Sequence, residues 1–261
     1  MYQHHRDTID KAIKKLSKDK KILAAILGGS VAHGFAAESS DIDLMLVLSE
    51  EDYQQAIHHG DLHYVDKESA DYPGGYVEGK YISESFIKAV AEKGSEPARF
   101  AFKDAILLYS YLDNINGLIS AASAYPRHNK ADKLEKFHAQ FEGWNWMYHE
   151  GLKTNDLYVI NYAVTHLCLF SGRLLLAHNE LLYPYHKWFL KVLETAPDRP
   201  RDIIKIINSA LITKSESDVS HLYQSVKNFH DWPQYQHGWV AKFVIDSEIN
   251  WLNGPVPIAD L

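Results

Sequence analysis

Two aspartates, Asp41 and Asp43, stand one residue apart in the run LGGSVAHGFAAESSDIDLMLVL, residues 27–48. On a strand the side chains alternate, so Asp41, Asp43, Met45 and Val47 share one face while Ile42, Leu44, Leu46 and Leu48 share the other. The two carboxylates then point the same way with their Cα atoms roughly 6 to 7 Å apart, close enough to hold cations about 3.5 to 4 Å from each other. Without a cation such a pair is repulsive. With Mg²⁺, which takes oxygen ligands, keeps waters and accepts substrate phosphates, it becomes a binding site. The preceding turn supplies the complement: Gly29 permits close backbone approach, Ser30 offers a hydroxyl, and a following helix presents free N–H groups at its positive end. Carboxylates would hold metal, and metal and turn together would hold a triphosphate.

Elements that could position these groups are legible around them. A helix over about Asp7 to Ser17 leads into the strand KILAAILG, the Gly28-Gly29-Ser30 turn, a short helix through Ala32 and Phe35, and the strand DIDLMLVL. EEDYQQAIHHG is helical, GYVEGKYIS strand-like, and SESFIKAVAEKG helical with a serine at its start and Gly94 as its stop; DAILLYSYL is again a strand. From DNINGLISAASAYP onward the apolar spacing is helical throughout. Leu134, Phe137, Phe141, Trp144 and Tyr148 follow at steps of three and four along one long helix face. Pro184 can open the helix PYHKWFLKVLE, Pro197 and Pro200 separate it from RDIIKIINSALI, and Ser215–Asp218 resembles a capping box with Asp in place of Glu. The expected class is α+β: a mixed-sheet domain over residues 1–115, then a helical bundle over 116–261.

Composition limits the partners. The 261 residues are 46% hydrophobic and 23% charged with a net charge of −7, which fits a folded chain lacking the basic surface that duplex nucleic acid requires. The single cysteine, Cys168, sits in apolar THLCLFSG, so no intrachain disulfide can form; it reads as a buried small hydrophobe, in keeping with a cytoplasmic location. The N-terminal segment is charged and has no apolar signal core. Leu157 to Ala177 is the nearest approach to a membrane span, but it carries Asn161, Thr165, His166, Ser171 and Arg173 and reads as a buried helix. No membrane association is expected.

A hydrophobic strand, Gly29-Ser30, ten residues, and Asp41-Ile42-Asp43 in a second strand together resemble the nucleotidyltransferase superfamily that includes DNA polymerase β and the aminoglycoside and lincosamide-type antibiotic nucleotidyltransferases. The helical half that follows makes the antibiotic-modifying members the nearest likeness. The resemblance implies a third acid from a neighbouring strand, and Glu78 in YVEGKYIS is the choice, sharing a face with Tyr76, Lys80 and Ile82; Asp61, Asp66 and Asp104 compete. A base from the helical half, Glu142 or Glu150, is the alternative. Small relatives read Gly-Ser-x-Ala-Arg-Gly where this chain has His33, which could meet a phosphate or sit half-exposed in the turn.

The stretch FSGRLLLAHNELLYPYHKWF sets Arg173, Asn179 and Lys187 into apolar sequence, and Lys187 is the candidate contact to a triphosphate. Tyr183, Tyr185 and Trp188 could stack on a base or fill an interface. Arg173 and His178 also resemble the Arg-x4-His motif of helical ribonuclease domains paired with minimal nucleotidyltransferases in toxin-antitoxin systems. The histidines of HHGDLH, residues 58–63, lack the cysteines or intervening glutamate of a zinc site and read as a solvated loop.

Implied overall is Mg²⁺-dependent transfer, through two ions, of a nucleoside monophosphate from an NTP, with ATP expected, to a hydroxyl of a small molecule. Asp41, Asp43 and Glu78 are the catalytic and metal-holding residues, and Gly29, Ser30 and Lys187 the nucleotide contacts. An aminoglycoside-like antibiotic fits the resemblance as acceptor, and relatives can pair as homodimers. The rival readings are the Arg173–His178 ribonuclease and a non-catalytic nucleotide-binding regulator.

Overall fold

In the computed structural model, which describes residues 1–254, the run after Asp41 forms strand β2 (Ile42–Leu48) in the middle of a five-stranded sheet. Its companions are β1 (Ala24–Leu27), β3 (His63–Asp66), β4 (Val77–Ser83) and β5 (Ile106–Ser110), in the order β3-β4-β2-β1-β5. Strands β2 and β4 run parallel; the other neighbouring pairs are antiparallel.

The expected alternation of β2 sorts the core into two layers. Ile42, Leu44, Leu46 and Leu48 pack with Ala25 and Leu27 against Ile9, Ala12 and Leu16 of helix α1 (Gln3–Leu16). On the opposite face Val47, Ala24 and Ile26 meet Ile87 and Val90 of one helix and Ile115, Ile119 and Ala122 of another. By parity, the acidic pair belongs to this second face.

Short helices join the strands, and the sequence explains where they begin and stop. Helix α2 (Gly29–Ala32) is a single turn, and α3 (Glu50–His59) starts where Ser49 Oγ accepts the Asp52 N–H at 3.1 Å. Helix α4 (Glu84–Lys93) is capped by Ser83 and ends at Gly94; α5 (Glu96–Phe100) is capped by Ser95. The fifth strand leads into α6 (Ile115–Ala122). This last helix packs on the second face of the sheet, and the first of the chain's two units runs from Met1 to Tyr125.

The second unit, from Pro126, is helical: α7 (Lys130–Thr154), α8 (Leu157–His178), α9 (Phe189–Glu194), α10 (Ile203–Thr213), α11 (Glu216–Lys227) and α12 (Gly238–Phe243). Helices α7 and α8 join through Asn155, in the left-handed region, and Asp156, whose carboxylate accepts the N–H groups of Tyr158 and Val159. Leu134, Phe141 and Tyr148 are buried as the spacing of α7 predicts; Phe137 and Trp144 are half-buried. Helix α8 is long and apolar enough to cross a membrane, but Ala163, Val164, Leu167 and Cys168 are buried inside the unit, and burial pushes the Cys168 thiol up to about 12. One expectation fails: α9 starts at Phe189, not at Pro184; residues 181–185 form no regular element and Tyr185 takes a positive φ of 68°.

Asp66 ties the edge strand to α1. Its carboxylate, 1% exposed, accepts Ser69 Oγ and the Glu68 N–H, each at 2.8 Å, with Tyr64 Oη and Lys15 Nζ at 3.2 Å. Burial alone pushes this group up, but hydrogen bonds from Ser69, Glu68 and Lys15 more than reverse it and hold it below the usual carboxylate range. A depressed folded value stabilises above the unfolded carboxylate pKa and is lost as pH falls through the folded one. Asp66→Ala is expected to cost about 2–4 kcal/mol in urea unfolding at pH 7, with the gap to the parent chain closing towards pH 3.

Candidate metal centre and nucleotide turn

Asp43 of β2 and Glu78 of β4 are register partners across the parallel pair, and Asp41 immediately precedes β2. One carboxylate oxygen of each of Asp41, Asp43 and Glu78 lies within 4.8 Å of the others, and all three residues are half-buried. Strand pairing thus forces together three charges that repel one another in water. Their joint field shows on Tyr76: the hydrogen bond and charge of Asp41, then the charges of Glu78 and Asp43, push its phenol up to about 12.

The segment that delivers Asp41 is pinned by groups the sequence reading passed over. Tyr72 Oη donates to the Ser40 carbonyl at 2.6 Å, and His4 Nε2 lies 2.8 Å from the Glu38 carbonyl oxygen with its ring 4.4 Å from that of Tyr72. His63, expected in a solvated loop, is the first residue of β3 and sets its Nε2 3.5 Å from Glu78 Oε2. Tyr76 shares the face of Glu78 as the alternation predicts, whereas His63 carries no signal in a linear motif and reaches Glu78 only through the pairing of β3 with β4.

The turn beside the acids is built around Gly29, whose φ of +61° lies in the left-handed region. A Cβ at this position would run into the Asp43 carboxylate, so only glycine lets the acid lie against the turn. The Gly28 N–H donates to the Asp43 carbonyl at 2.9 Å, fixing turn to strand. Ser30 is 7% exposed, and its Oγ has no hydrogen-bond partner among the described residues. A converging carboxylate set, a cradle that a side chain would fill and a buried hydroxyl with spare capacity fit a divalent ion carrying a phosphate.

His33 does not sit half-exposed. It is buried, its ring 4.5 Å from that of Phe100 and its Nδ1 3.4 Å from Asp104 Oδ2; burial holds it below the ordinary imidazole range, with Asp104 pulling the other way. Asp104 is therefore engaged with His33 and Asp66 with α1, while Asp61 is exposed and outside the acid cluster.

In the second unit, Lys187 occupies the turn before α9, exposed, with Nζ 5.3 Å from the Trp188 ring centre. Arg173 lies between the rings of Phe137 and Tyr183, its Cζ 4.5 and 4.3 Å from their centres, and Asn179 bonds the backbone of Asp198. His178 pairs with Asp198 at 2.5 Å. Arg173 and His178 lie five residues apart on α8, about 140° apart around its axis. Glu142 is held by Tyr223, His138 and Lys227, and Glu150 pairs with Lys153.

Residues 10–71 match the model of the family described as "Polymerase beta, Nucleotidyltransferase", a segment that holds Gly29, Ser30, Asp41 and Asp43 and stops before Glu78. No curated protein matches the chain. Among solved structures, a nucleotidyltransferase-like protein from Exiguobacterium sibiricum 255-15 is similar at 9% identity and a TM-score of 0.45, over 98% of this chain and 83% of that one. The first unit has a nucleotidyltransferase fold, and a helical part follows it.

Proposed function

We propose that the protein transfers a nucleoside monophosphate from an NTP, with ATP as the donor, to a hydroxyl of a small molecule and releases pyrophosphate. The observation that carries this reading is the convergence of Asp41, Asp43 and Glu78 beside the Gly29–Ser30 turn. Asp41 and Asp43 would hold two Mg²⁺ ions, with Glu78 completing the set. When bound, the ions lower the pKa of an acceptor hydroxyl and neutralise charge on the triphosphate and the leaving group. The chain's own residues position and hold: the three carboxylates fix the charge, Gly29 lets phosphate approach the backbone, and Ser30 Oγ is available as a donor. Glu78 is proposed as the acid that accepts the acceptor's proton, with His63 Nε2 3.5 Å from its Oε2. Lys187 is proposed as a contact to the triphosphate, and an aminoglycoside-like molecule as one candidate acceptor.

Asp41→Asn and Asp43→Asn are each expected to lower pyrophosphate release by about 10²–10³-fold or more with unchanged circular dichroism; wild-type turnover in either variant refutes the reading. Gly29→Ala, which forces a side chain onto the Asp43 carboxylate, is expected to weaken Mn²⁺ binding measured by electron paramagnetic resonance and to lower the unfolding midpoint. Lys187→Ala should raise KM for the nucleotide with kcat little changed; an unchanged KM removes Lys187 from the site.

A further inference from the structure

The helical unit contains a cavity of about 350 Å³ to which neither the acid cluster nor Lys187 contributes. His138 and Glu142, one turn apart on α7, form one wall; Lys227 and Asn228, at the end of α11, form another. The segment that follows brings Trp232 and Trp239, with Asp231 and Gln234 between and beside them. Trp232 is 4% exposed and fixed by its Nε1–H, which donates to the Val226 carbonyl at 2.8 Å.

The cavity carries both signs of charge: Lys227 stands among Glu142 and Asp231, with His138 and His230 also in the lining. Lys227 Nζ donates to Tyr223 Oη at 2.6 Å, Tyr223 O–H donates to Glu142 Oε2 at 2.7 Å, and Lys227 and His138 lie 3.4 and 3.5 Å from Glu142 Oε1. Burial pushes Glu142 up, but His138, Tyr223 and Lys227 together bring it below the usual carboxylate range, so it remains an ionised acceptor.

The lining narrows the chemistry of what can enter. An anion meets Glu142 and Asp231, and an organic cation meets Lys227. Metal ligands do not converge here: among the described residues the acid cluster of the first unit is the group that does. A wholly apolar molecule would strip water from Glu142, Asn228 and Gln234 and return no hydrogen bonds. An uncharged ring carrying several hydroxyls satisfies every wall, its C–H faces lying on indole and its hydroxyls pairing with carboxylate, amide and ammonium groups. The volume suits one such ring. We propose that this cavity binds a neutral polyhydroxylated ring of the hexose or cyclitol class, with Trp239 as stacking face and Glu142, Asn228 and Gln234 as hydroxyl partners. The proposal does not rest on nucleotidyl transfer.

Saturation-transfer NMR and calorimetry on the full chain, with methyl glucoside and myo-inositol as probes, are expected to show binding with Kd of about 0.1–10 mM. Trp239→Ala, and separately the exposed pair Asn228→Ala with Gln234→Ala, should weaken it at least about fivefold with the unfolding midpoint retained, while Asp41→Asn leaves it unchanged. Tighter binding of AMP gives the cavity to a nucleotide, and tighter binding of choline gives it to a cation; either overturns the proposal. So does equal affinity in both variants, or no transfer from either neutral ring at about 50 mM.

Discussion

Mutual repulsion among three carboxylates is the constraint around which the first unit is organised. Oxygens within 4.8 Å of one another do not stay together unless the backbone holds them, and the parallel pairing of β2 with β4 is what does so. The opposite face of β2 supplies the anchorage: Ile42 and Leu44 are buried under α1, so Asp43 cannot swing away without pulling apolar side chains out of the core. Around the charges, Tyr76 donates to Asp41 and His63 approaches Glu78, which tempers the repulsion without removing it.

The Gly28–Gly29–Ser30 turn answers a different need, that of bringing backbone against acid. A side chain at position 29 is excluded by Asp43, while His33, one turn on, is buried against Phe100 and paired with Asp104. The turn is thus supported from behind by Phe100 and Asp104 through His33, and the Asp43 carboxylate lies against it at Gly29. A histidine here works as packing, where an arginine would have offered a permanent charge.

Much of this was legible in the sequence because period-two alternation in β2 is unambiguous, and it fixes which residues share a face. Helix α4 was legible through Ser83 and Gly94, whose chemistry marks ends regardless of tertiary context. Strand β3 was not. Its four residues, His63–Asp66, bury only an aspartate, and they become a strand solely by pairing with β4. The same dependence on remote partners hid the neighbourhood of Glu78 and the burial of His33. The start of α9 was misplaced because a proline that can open a helix does not oblige one, and the left-handed Tyr185 follows it.

The position of β1 in the sheet has a consequence for how the unit is made. It takes one neighbour, β2, from nearby in the chain and the other, β5, from far along it, with Leu27 opposite Ile106 and Ala24 opposite Ser110. As the polypeptide leaves the ribosome, β1 therefore keeps one open hydrogen-bonding edge until almost the whole unit has been synthesised. The interval during which a chaperone can recognise that bare edge is set by topology, and it ends only when β5 docks.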